Sequence, residues 1–437
     1  MRTNFLRKKY PKFIYKNYSW KISKNNLEIV FDFRIPPDIS FQPKIIIENI
    51  PFVSKIKSSD NLIFHLGLME IPSYWKAACS PEIEIQCGYL NKEQINWWKD
   101  LIISGMGQFF YENKIDWRKP NFLKINITRT VLENLVIGER FSYNLKDRYL
   151  VPFAGGRDSI VTLEGLKKPF GTAQGKQKKE IALFTVNTVK KIQQVVKVSG
   201  IKKQIIVRRL IDKKLLSLNK KGYLNGHTPF TALLSFTSLL CAVIFDYKNI
   251  AFSNEKSANE GNVRYLGKII NHQWAKSSEF EKKFKDYCKK YLVKNINYFS
   301  FTRKYCELEI SRMLIKYPKY FPVFSSCNAG MRIGAKGQLA AKERWCGNCP
   351  KCLFVYMSLY PFLKEKELLK IFGKDIFDPS TSSGREKLLL IMKGLLGQGR
   401  PKPFECVGTY QESRSVFKLC LEKAQKSGRI PYFLTKL

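Results

Sequence analysis

From about residue 145 onward, short apolar runs alternate with longer stretches in which apolar positions recur at helical spacing. The apolar runs are YLVPF (149–153), IALFTVN (181–187), KQIIVRRL (203–210) and NIAFSN (249–254). Strands that alternate with helices are typical of a parallel sheet whose strands are joined by crossover helices. The pattern therefore predicts an α/β fold class with a parallel-sheet domain over residues 145–320.

The regions on either side have different patterns. Residues 1–140 mix strand-like runs (27–35, 43–49 and 82–90) with a helical stretch at 91–113, which predicts an N-terminal α+β domain. Residues 321–437 contain a cysteine cluster, a helical stretch at 353–372, a turn-rich stretch at 378–386 and a helical tail. We interpret them as a metal-stapled helical C-terminal region.

One stretch, residues 228–245, has 18 residues without a charge, which is the length at which a membrane span is suspected. Its hydroxyl residues and proline favour a buried helix instead. The basic N-terminus lacks the apolar core of a secretory signal. We therefore expect a cytoplasmic protein without membrane insertion, and the odd count of 11 cysteines agrees with a reducing compartment.

The charge of the chain is extreme, with 76 Lys and Arg against 36 Asp and Glu, a formal net charge of +40. Such a balance favours a polyanionic partner when basic residues cluster. Here they are dispersed and form no long tail, which favours solvated surfaces. We expect no nucleic-acid partner.

The segment Phe-Ala-Gly-Gly-Arg-Asp-Ser (153–159) follows the first parallel strand and precedes a helix. Backbone N–H groups of such a turn, together with the positive end of the helix, can bind phosphate. The same residues also suit an ordinary capped corner, with Asp158 and Ser159 near the N-cap. The segment lacks the Gly-Lys-Ser/Thr ending of a Walker loop.

Polar residues also follow the other strands, where ligands of open parallel sheets bind. They are Asn187, the turn Asn225-Gly226-His227, and residues 253–257. Together with the glycine segment, they predict a nucleotide site.

Three cysteines, Cys346, Cys349 and Cys352, recur at intervals of three, and Cys327 can supply a fourth thiolate. Four thiolates suit a tetrahedral structural zinc, with an iron–sulfur cluster or unliganded thiols as alternatives.

The three histidines have separate interpretations. His65 lies in an apolar stretch and suits the core, His227 is an acid–base candidate or a cap of the next helix, and His272 faces substrate or packs on Trp274.

The glycine segment resembles the Ser-Gly-Gly-x-Asp-Ser loop of the PP-loop ATP pyrophosphatases, with Ala154 in place of the first serine. Within that superfamily the chain is similar to the UDP-N-acetyl-α-D-muramoyl-L-alanyl-L-glutamate epimerases. The similar stretches are 64–85, 105–117, 151–162, 225–235, 253–263, 271–281, 346–352 and 402–413.

The resemblance implies ATP and Mg²⁺ as cofactors and UDP-MurNAc-L-Ala-L-Glu as substrate. The terminal L-glutamate would be inverted through adenylation of its carboxylate, in functional coupling with an L-glutamate-adding muramoyl ligase. The residues expected around ATP are Ala154, Gly155, Gly156, Arg157, Asp158, Ser159, Asn187 and Asn254.

Among these residues Asp158 would also help to hold Mg²⁺. His227 is the first candidate for proton transfer, and Glu255, Cys79 and Glu405 are candidates for the second. The residues expected at the UDP-sugar peptide are Tyr74, Trp75, Lys76 and His272.

Two other functions stay open from the sequence. One is a PP-loop enzyme that modifies a nucleobase or a tRNA, such as a 7-cyano-7-deazaguanine synthase or a thiolating enzyme. The other is a zinc-stapled nucleic-acid-binding protein without catalysis.

Overall fold

A computed structural model describes residues 2–51, 54–128, 142–168, 179–327, 345–378 and 382–436. The strands are β1 (Lys12–Ser23), β2 (Asn26–Ile35), β3 (Ile39–Phe41), β4 (Lys44–Ile47), β5 (Glu82–Ile85), β6 (Lys124–Ile127), β7 (Lys146–Pro152), β8 (Ile181–Val186), β9 (Gln204–Leu210), β10 (Tyr247–Phe252), β11 (Val263–Tyr265), β12 (Lys268–Ile270) and β13 (Asn297–Ser300). The helices are α1 (Arg2–Lys9), α2 (Ser54–Lys57), α3 (Asp60–Trp75), α4 (Lys92–Gly105), α5 (Gly107–Glu112), α6 (Arg157–Lys167), α7 (Lys190–Ser199), α8 (Lys213–Lys220), α9 (Phe230–Phe245), α10 (Ser278–Tyr287), α11 (Glu307–Leu314), α12 (Pro350–Leu359), α13 (Glu365–Phe372), α14 (Ser382–Leu396) and α15 (Tyr410–Lys426).

The fold is mixed α/β around one large sheet. Within the described residues the sheet has 11 strands in the order β13-β10-β7-β8-β9-β4-β2-β1-β5-β6, with β3 also paired to β2. The run from β13 to β9 is parallel throughout, as the alternation after residue 145 predicts. Among the described strands of this sheet, the antiparallel pairs are β9–β4, β4–β2, β2–β1 and β2–β3, and the other pairs are parallel. β11 and β12 form a separate antiparallel pair.

The sheet runs without a break from the N-terminal residues into the later ones. β4 pairs with β9 from Lys44 opposite Leu210 to Ile47 opposite Val207. The predicted boundary at 140–145 therefore lies in a chain segment between two strands of the same sheet.

The parallel half of the sheet is covered on both faces. Neighbouring residues of a strand point to opposite sides, so Leu150 packs into the core with α3 and α9, and Val151 packs into the core with the C-terminal helices. This double cover explains why β8 and the carboxyl-terminal halves of β7 and β10 consist almost wholly of apolar residues.

The uncharged stretch at 228–245 forms the buried helix α9, as predicted, and packs against α3. In the described parts of the chain, no helix has the length and apolar character needed to cross a bilayer.

The prediction of turns over 378–386 is wrong in its second half, because α14 begins at Ser382; residues 379–381 lie outside the described residues. β1 was not predicted because its second half is largely exposed and its polar residues break the alternation. β13 has only four residues at the sheet edge, too few to give a periodic signal.

Candidate active site

The glycine loop lies between β7 and α6, at the carboxyl end of the parallel strands. Gly155 has φ +74°, and a Cβ there would lie 2.9 Å from a methyl carbon of Val195. Gly156 is the N-cap of α6, and a Cβ there would lie 3.1 Å from Ser326 Oγ. Backbone geometry and close packing both require glycine, so the loop can present its N–H groups without side chains in the way.

A cavity of about 240 Å³ opens beyond the ends of β7, β8 and β10. Five of the residues predicted around ATP line it, together with apolar side chains and one lysine that sequence reasoning missed. The predicted residues are Ala154, Gly156, Asp158, Ser159 and Asn254; the apolar ones include Phe184, Ile192, Phe230 and Phe252; the lysine is Lys276. An apolar wall next to polar loop atoms suits a ring joined to phosphates.

Three of the predicted residues do not line this cavity. Gly155 packs on Val195 behind the loop. Asn187 binds back to β9, since its Nδ2 donates to Arg209 O (3.1 Å) and its Oδ1 accepts from Arg209 N–H (2.8 Å). Arg157 is fully buried and its guanidinium pairs with Glu307.

Arg157 also fixes the neighbouring carboxylate, because its Nε donates to Asp158 Oδ1 at 3.0 Å. Burial alone would raise the pKa of Asp158, but the charges of Arg157, Lys351 and Lys276 outweigh it and hold that pKa below its ordinary value. Asp158 is thus an ionised carboxylate at the cavity wall.

The pKa of Glu255 is shifted in the direction opposite to that of Asp158. Its side chain is fully buried, and neither carboxyl oxygen has a hydrogen-bond partner among the described residues. Burial raises the pKa of Glu255 to about 7, although Lys276 opposes the shift. A carboxyl group that titrates near neutrality can give or take a proton during turnover.

Two lysines, the half-buried Lys276 and the buried Lys351, complete this charged cluster. Lys276 Nζ lies 3.1 Å from Cys406 Sγ. Burial would lower the pKa of Lys276, but Cys406, Glu255 and Asp158 hold it above the ordinary value. Lys351 is 3% exposed, and its Nζ has no hydrogen-bond partner within the described ranges. Neither lysine was predicted from the sequence, because Lys351 lies between two of the expected cysteine ligands and Lys276 lies in the stretch NHQWAKSSEFE without a distinguishing motif.

The structure brings His227 and His272 together, with ring centroids 4.6 Å apart. His272 Nδ1 lies 2.6 Å from Gln108 Oε1. Burial, the charge of His272 and nearby lysines lower the pKa of His227 to about 3. Burial and the charge of Lys276 lower the pKa of His272 to about 4. Both imidazoles are therefore neutral at pH 7. The alternative in which His227 caps α9 is not observed, because the N-cap is Pro229 and no side chain caps that end.

The turn that carries His227 is held by Lys76, whose Nζ donates to Gly226 O at 2.9 Å. Burial lowers the pKa of Lys76 to about 8. Its neighbours Tyr74 and Trp75 are fully buried in the core; Tyr74 OH accepts Asp212 N–H, and Trp75 Nε1–H donates to Ser80 O. Of these three residues, Lys76 is the one that contacts the histidine turn.

The remaining candidates for proton transfer lie in different environments. Cys79 is fully buried, accepts a hydrogen bond from Arg7, and burial raises its pKa to about 12. Glu405 Oε2 accepts the backbone N–H of Lys351 at 3.0 Å. His65 belongs to the core, as predicted, with its ring nitrogens at Asn61 O and Tyr287 OH.

Residues 402–406 of the C-terminal region run across the site. Asn262 Nδ2 donates to Pro403 O at 2.7 Å, and the Phe404 ring lies 6.4 Å from the His272 ring. Glu405 and Cys406 then reach Lys351 and Lys276. This explains why the KPFEC stretch belongs with the site although it lies far along the chain.

The four predicted metal ligands, Cys327, Cys346, Cys349 and Cys352, come together with all sulfurs within 4.8 Å of one another. A tetrahedral zinc thiolate site has sulfurs about 3.8 Å apart, and the Cys346 and Cys352 sulfurs are 3.7 Å apart. Backbone N–H groups of Asn348 and Cys352 donate to the sulfurs of Cys346 and Cys349. The cluster can therefore hold a metal ion, and its donor set fits zinc.

Comparison with known proteins gives one consistent family. The MurL N-terminal domain matches residues 4–301, and the MurL C-terminal domain matches residues 323–431. The chain is 31% identical over 360 residues to the UDP-N-acetyl-alpha-D-muramoyl-L-alanyl-L-glutamate epimerase of Xanthomonas oryzae pv. oryzae, covering 82% of this chain and 74% of that protein. It is 30% identical over 421 residues to the protein of the same name from Salinispora tropica, covering 94% and 85%. No solved structure matches the chain.

Proposed function

The chain belongs to the MurL family, and on that premise we propose that it inverts the terminal L-glutamate of UDP-MurNAc-L-Ala-L-Glu to D-glutamate, with ATP converted to AMP and pyrophosphate. The observation that carries this proposal is the cavity at the carboxyl end of the parallel strands, which joins the glycine loop to Asp158 and Lys276. Two matched family domains over residues 4–301 and 323–431 favour it over nucleobase or tRNA modification and over nucleic-acid binding.

The nucleotide would bind as in a PP-loop fold. Phe184, Ile192 and Phe252 offer an apolar surface for the adenine ring. The loop at Gly155 and Gly156 and the N-terminus of α6 offer N–H groups to the phosphates. Ala154 gives no hydroxyl there, and Arg157 would contribute by orienting Asp158, since its guanidinium is paired with Glu307 and its Nε donates to Asp158.

Asp158 and Glu255 are the carboxylates available to hold Mg²⁺, whose preferred ligands are oxygens. Glu255 fits this role because both of its buried oxygens lack a hydrogen-bond partner in the described structure. When bound, Mg²⁺ neutralises phosphate charge. Lys276 would offset part of the remaining negative charge of the phosphates. The ammonium of Lys351, which has no hydrogen-bond partner in the described structure, would offset another part.

Activation is needed because the α-proton of glutamate lies next to a carboxylate that cannot accept carbanion charge. A carboxylate oxygen would attack the α-phosphorus of ATP, and the bond to pyrophosphate would break. The α-carbon of the resulting acyl adenylate can lose its proton, because the electron pair delocalises onto the carbonyl oxygen. Lys276, at the cavity wall, would stabilise that oxygen, an effect of roughly 3 kcal/mol for a well-placed donor.

His227 would take part in proton transfer, since it is neutral and faces the same lysine. Re-protonation on the opposite face gives the D configuration, and water then cleaves the adenylate to AMP and the free carboxylate. Hydrolysis makes the inversion irreversible. Lys76 and His272 would contact the UDP-sugar peptide; Tyr74 and Trp75, which are buried, would support that region from behind.

The role proposed for a zinc ion is structural, because four cysteines leave no open coordination position. The substrate would come from a ligase that adds L-glutamate to the UDP-linked muramoyl peptide.

The decisive experiment incubates the purified protein with UDP-MurNAc-L-Ala-L-Glu, ATP and Mg²⁺. We expect AMP and pyrophosphate in step with D-glutamate, measured by chiral analysis after hydrolysis of the product. Asp158→Asn should abolish AMP formation and leave the circular dichroism spectrum unchanged. The proposal fails if the wild type consumes no ATP or if glutamate keeps its configuration.

A further inference from the structure

Cys406 has a setting unlike that of the other cysteines in the described residues. It is half-buried, and its Sγ lies 3.1 Å from Lys276 Nζ. The same lysine lines the nucleotide cavity with Asp158 and Asn254. Cys406 therefore contacts a lysine that lines the cavity in which the activated carboxyl group would lie.

We propose that Cys406 is a catalytic proton-transfer residue of the inversion, acting on the face of the α-carbon opposite His227 and oriented by Lys276; this rests on the proposed function. The residues expected from the sequence to supply the second proton-transfer group have other settings, and Glu255 among them is fully buried and is proposed to hold Mg²⁺. Cys79 is fully buried, and Glu405 accepts the Lys351 N–H.

A second observation also points to a ligand at this place. Glu255, which is fully buried and acts electrostatically on Lys276, has two carboxyl oxygens without a hydrogen-bond partner in the part of the chain that the structure describes. Such a group is costly to bury unless a ligand or metal ion satisfies it. Cys406 and Glu255 thus flank one lysine that faces a binding cavity.

The position of the histidine pair fits proton transfer on two opposite faces of the α-carbon. Lys276 acts on both His227 and His272, and Phe404, two residues before Cys406, lies against His272. His227 comes from the turn before α9, whereas Cys406 comes from the C-terminal segment. Two groups from separate elements, near one lysine, are what an inversion with two proton-transfer partners requires.

For the L isomer, the inversion begins with loss of the α-proton. The thiolate of Cys406 takes the α-proton, so the Cα–H bond breaks, an S–H bond forms, and the electron pair moves onto the carbonyl oxygen of the acyl adenylate. A water molecule beside the neutral imidazole of His227 then donates a proton to the other face, the electron pair returns to the α-carbon, and a new Cα–H bond forms. The hydroxide that remains takes the proton from the Cys406 thiol, which restores the thiolate and a water molecule.

The test compares Cys406→Ala and Cys406→Ser with the wild type in D₂O. We expect both variants to form AMP and pyrophosphate within about threefold of the wild-type rate, while deuterium incorporation at Cα and inversion fall at least 100-fold. ATP would then be consumed without a change of configuration, a result that a merely structural role would not give. Cys87→Ala, which removes another half-buried thiol, should invert normally.

Three outcomes overturn the inference. They are inversion by Cys406→Ala at a rate similar to that of the wild type, loss of AMP formation together with inversion in a folded variant, and equal inversion by wild-type protein whose Cys406 has been alkylated with iodoacetamide. If the alanine variant does not fold, the near-isosteric serine variant decides. Failure of the wild type to invert glutamate would instead contradict the proposed function itself.

Discussion

The backbone N–H of Arg157 donates a hydrogen bond of 3.1 Å to Ser326 Oγ, immediately before Cys327 of the four-cysteine cluster. Ser325 N–H donates to Gly155 O at 3.3 Å, so the same short segment contacts both ends of the glycine loop. On the other side of the cysteine cluster, Cys349 caps α12, which carries Lys351 into the charged site. The cluster therefore contacts two parts of the proposed nucleotide site, the glycine loop and the helix that carries Lys351.

Loss of the metal should weaken nucleotide binding. Cys349→Ala is expected to lower the metal content from about one ion per chain and to raise the Kd for ATP at least tenfold, about 1.4 kcal/mol. Metal analysis and calorimetry measure the two effects. Cys420→Ala removes a buried thiol of the same region that does not belong to the cluster, and should change neither. Unchanged ATP affinity in metal-free protein would contradict the coupling.

The buried pair of Arg157 and Glu307 should be important for stability. Both side chains are fully buried, so Glu307→Ala leaves the buried guanidinium with Asp158 as its remaining counter-charge. We expect the free energy of unfolding to fall by about 3–5 kcal/mol, measured by urea denaturation. Lys282→Ala breaks an exposed pair with Asp286 and should cost less than about 1 kcal/mol. Equal effects of the two substitutions would refute this account.

Glu255 should make stability depend on pH in a defined direction. Its pKa is about 7 in the folded chain and near the ordinary carboxyl value when unfolded, so the folded state binds the proton more tightly. Its contribution is fully present below about pH 4.3, the ordinary glutamate pKa, and is lost as the pH rises through 7. Glu255→Gln removes this dependence. As the pH rises from 4.5 to 7.5, the free energy of unfolding of the variant minus that of the wild type should increase by on the order of 2–3 kcal/mol. Parallel pH curves of Tm for the two proteins would exclude the raised pKa.

Substitution of Lys351, unlike that of most buried residues, should not lower the Tm of the ligand-free protein. Because its ammonium has no hydrogen-bond partner in the described structure, Lys351→Met should leave the Tm of the ligand-free protein unchanged or higher. The same variant should bind pyrophosphate at least tenfold more weakly, because the ammonium would pair with a phosphate oxygen. Thermal shift with and without pyrophosphate measures both effects. Lys366→Met, on the exposed face of α13, serves as the control, and equal binding by both variants would count against the role of Lys351.

Much of this fold could be predicted from the sequence because buried parallel strands have a strong apolar signal. The strands β7 to β10, the buried helix α9 and the four-cysteine cluster all lie where the sequence placed them. β1 and β13 could not be found in this way, because their stability comes from pairing with neighbouring strands rather than from a local pattern.

The site was predictable at its loop and strand ends but not at its centre. A glycine loop is a local feature of consecutive residues, whereas the contact between Lys276 and Cys406 joins residues 130 positions apart. Likewise, the meeting of His227 with His272 depends on two separate loops. The burial of the Arg157 guanidinium depends on Glu307, whose position relative to the loop no spacing in the sequence reveals.

The pairing of β4 with β9 has a consequence for attempts to cut the chain. In a fragment that ends at Ile127, the main-chain groups of β4 that pair with β9 would be exposed. In a fragment that begins at Lys146, the main-chain groups of β9 that pair with β4 would be exposed. Open strand edges promote association. Since these two edges are complementary, the halves are expected to aggregate when made separately and to reconstitute one another when made together.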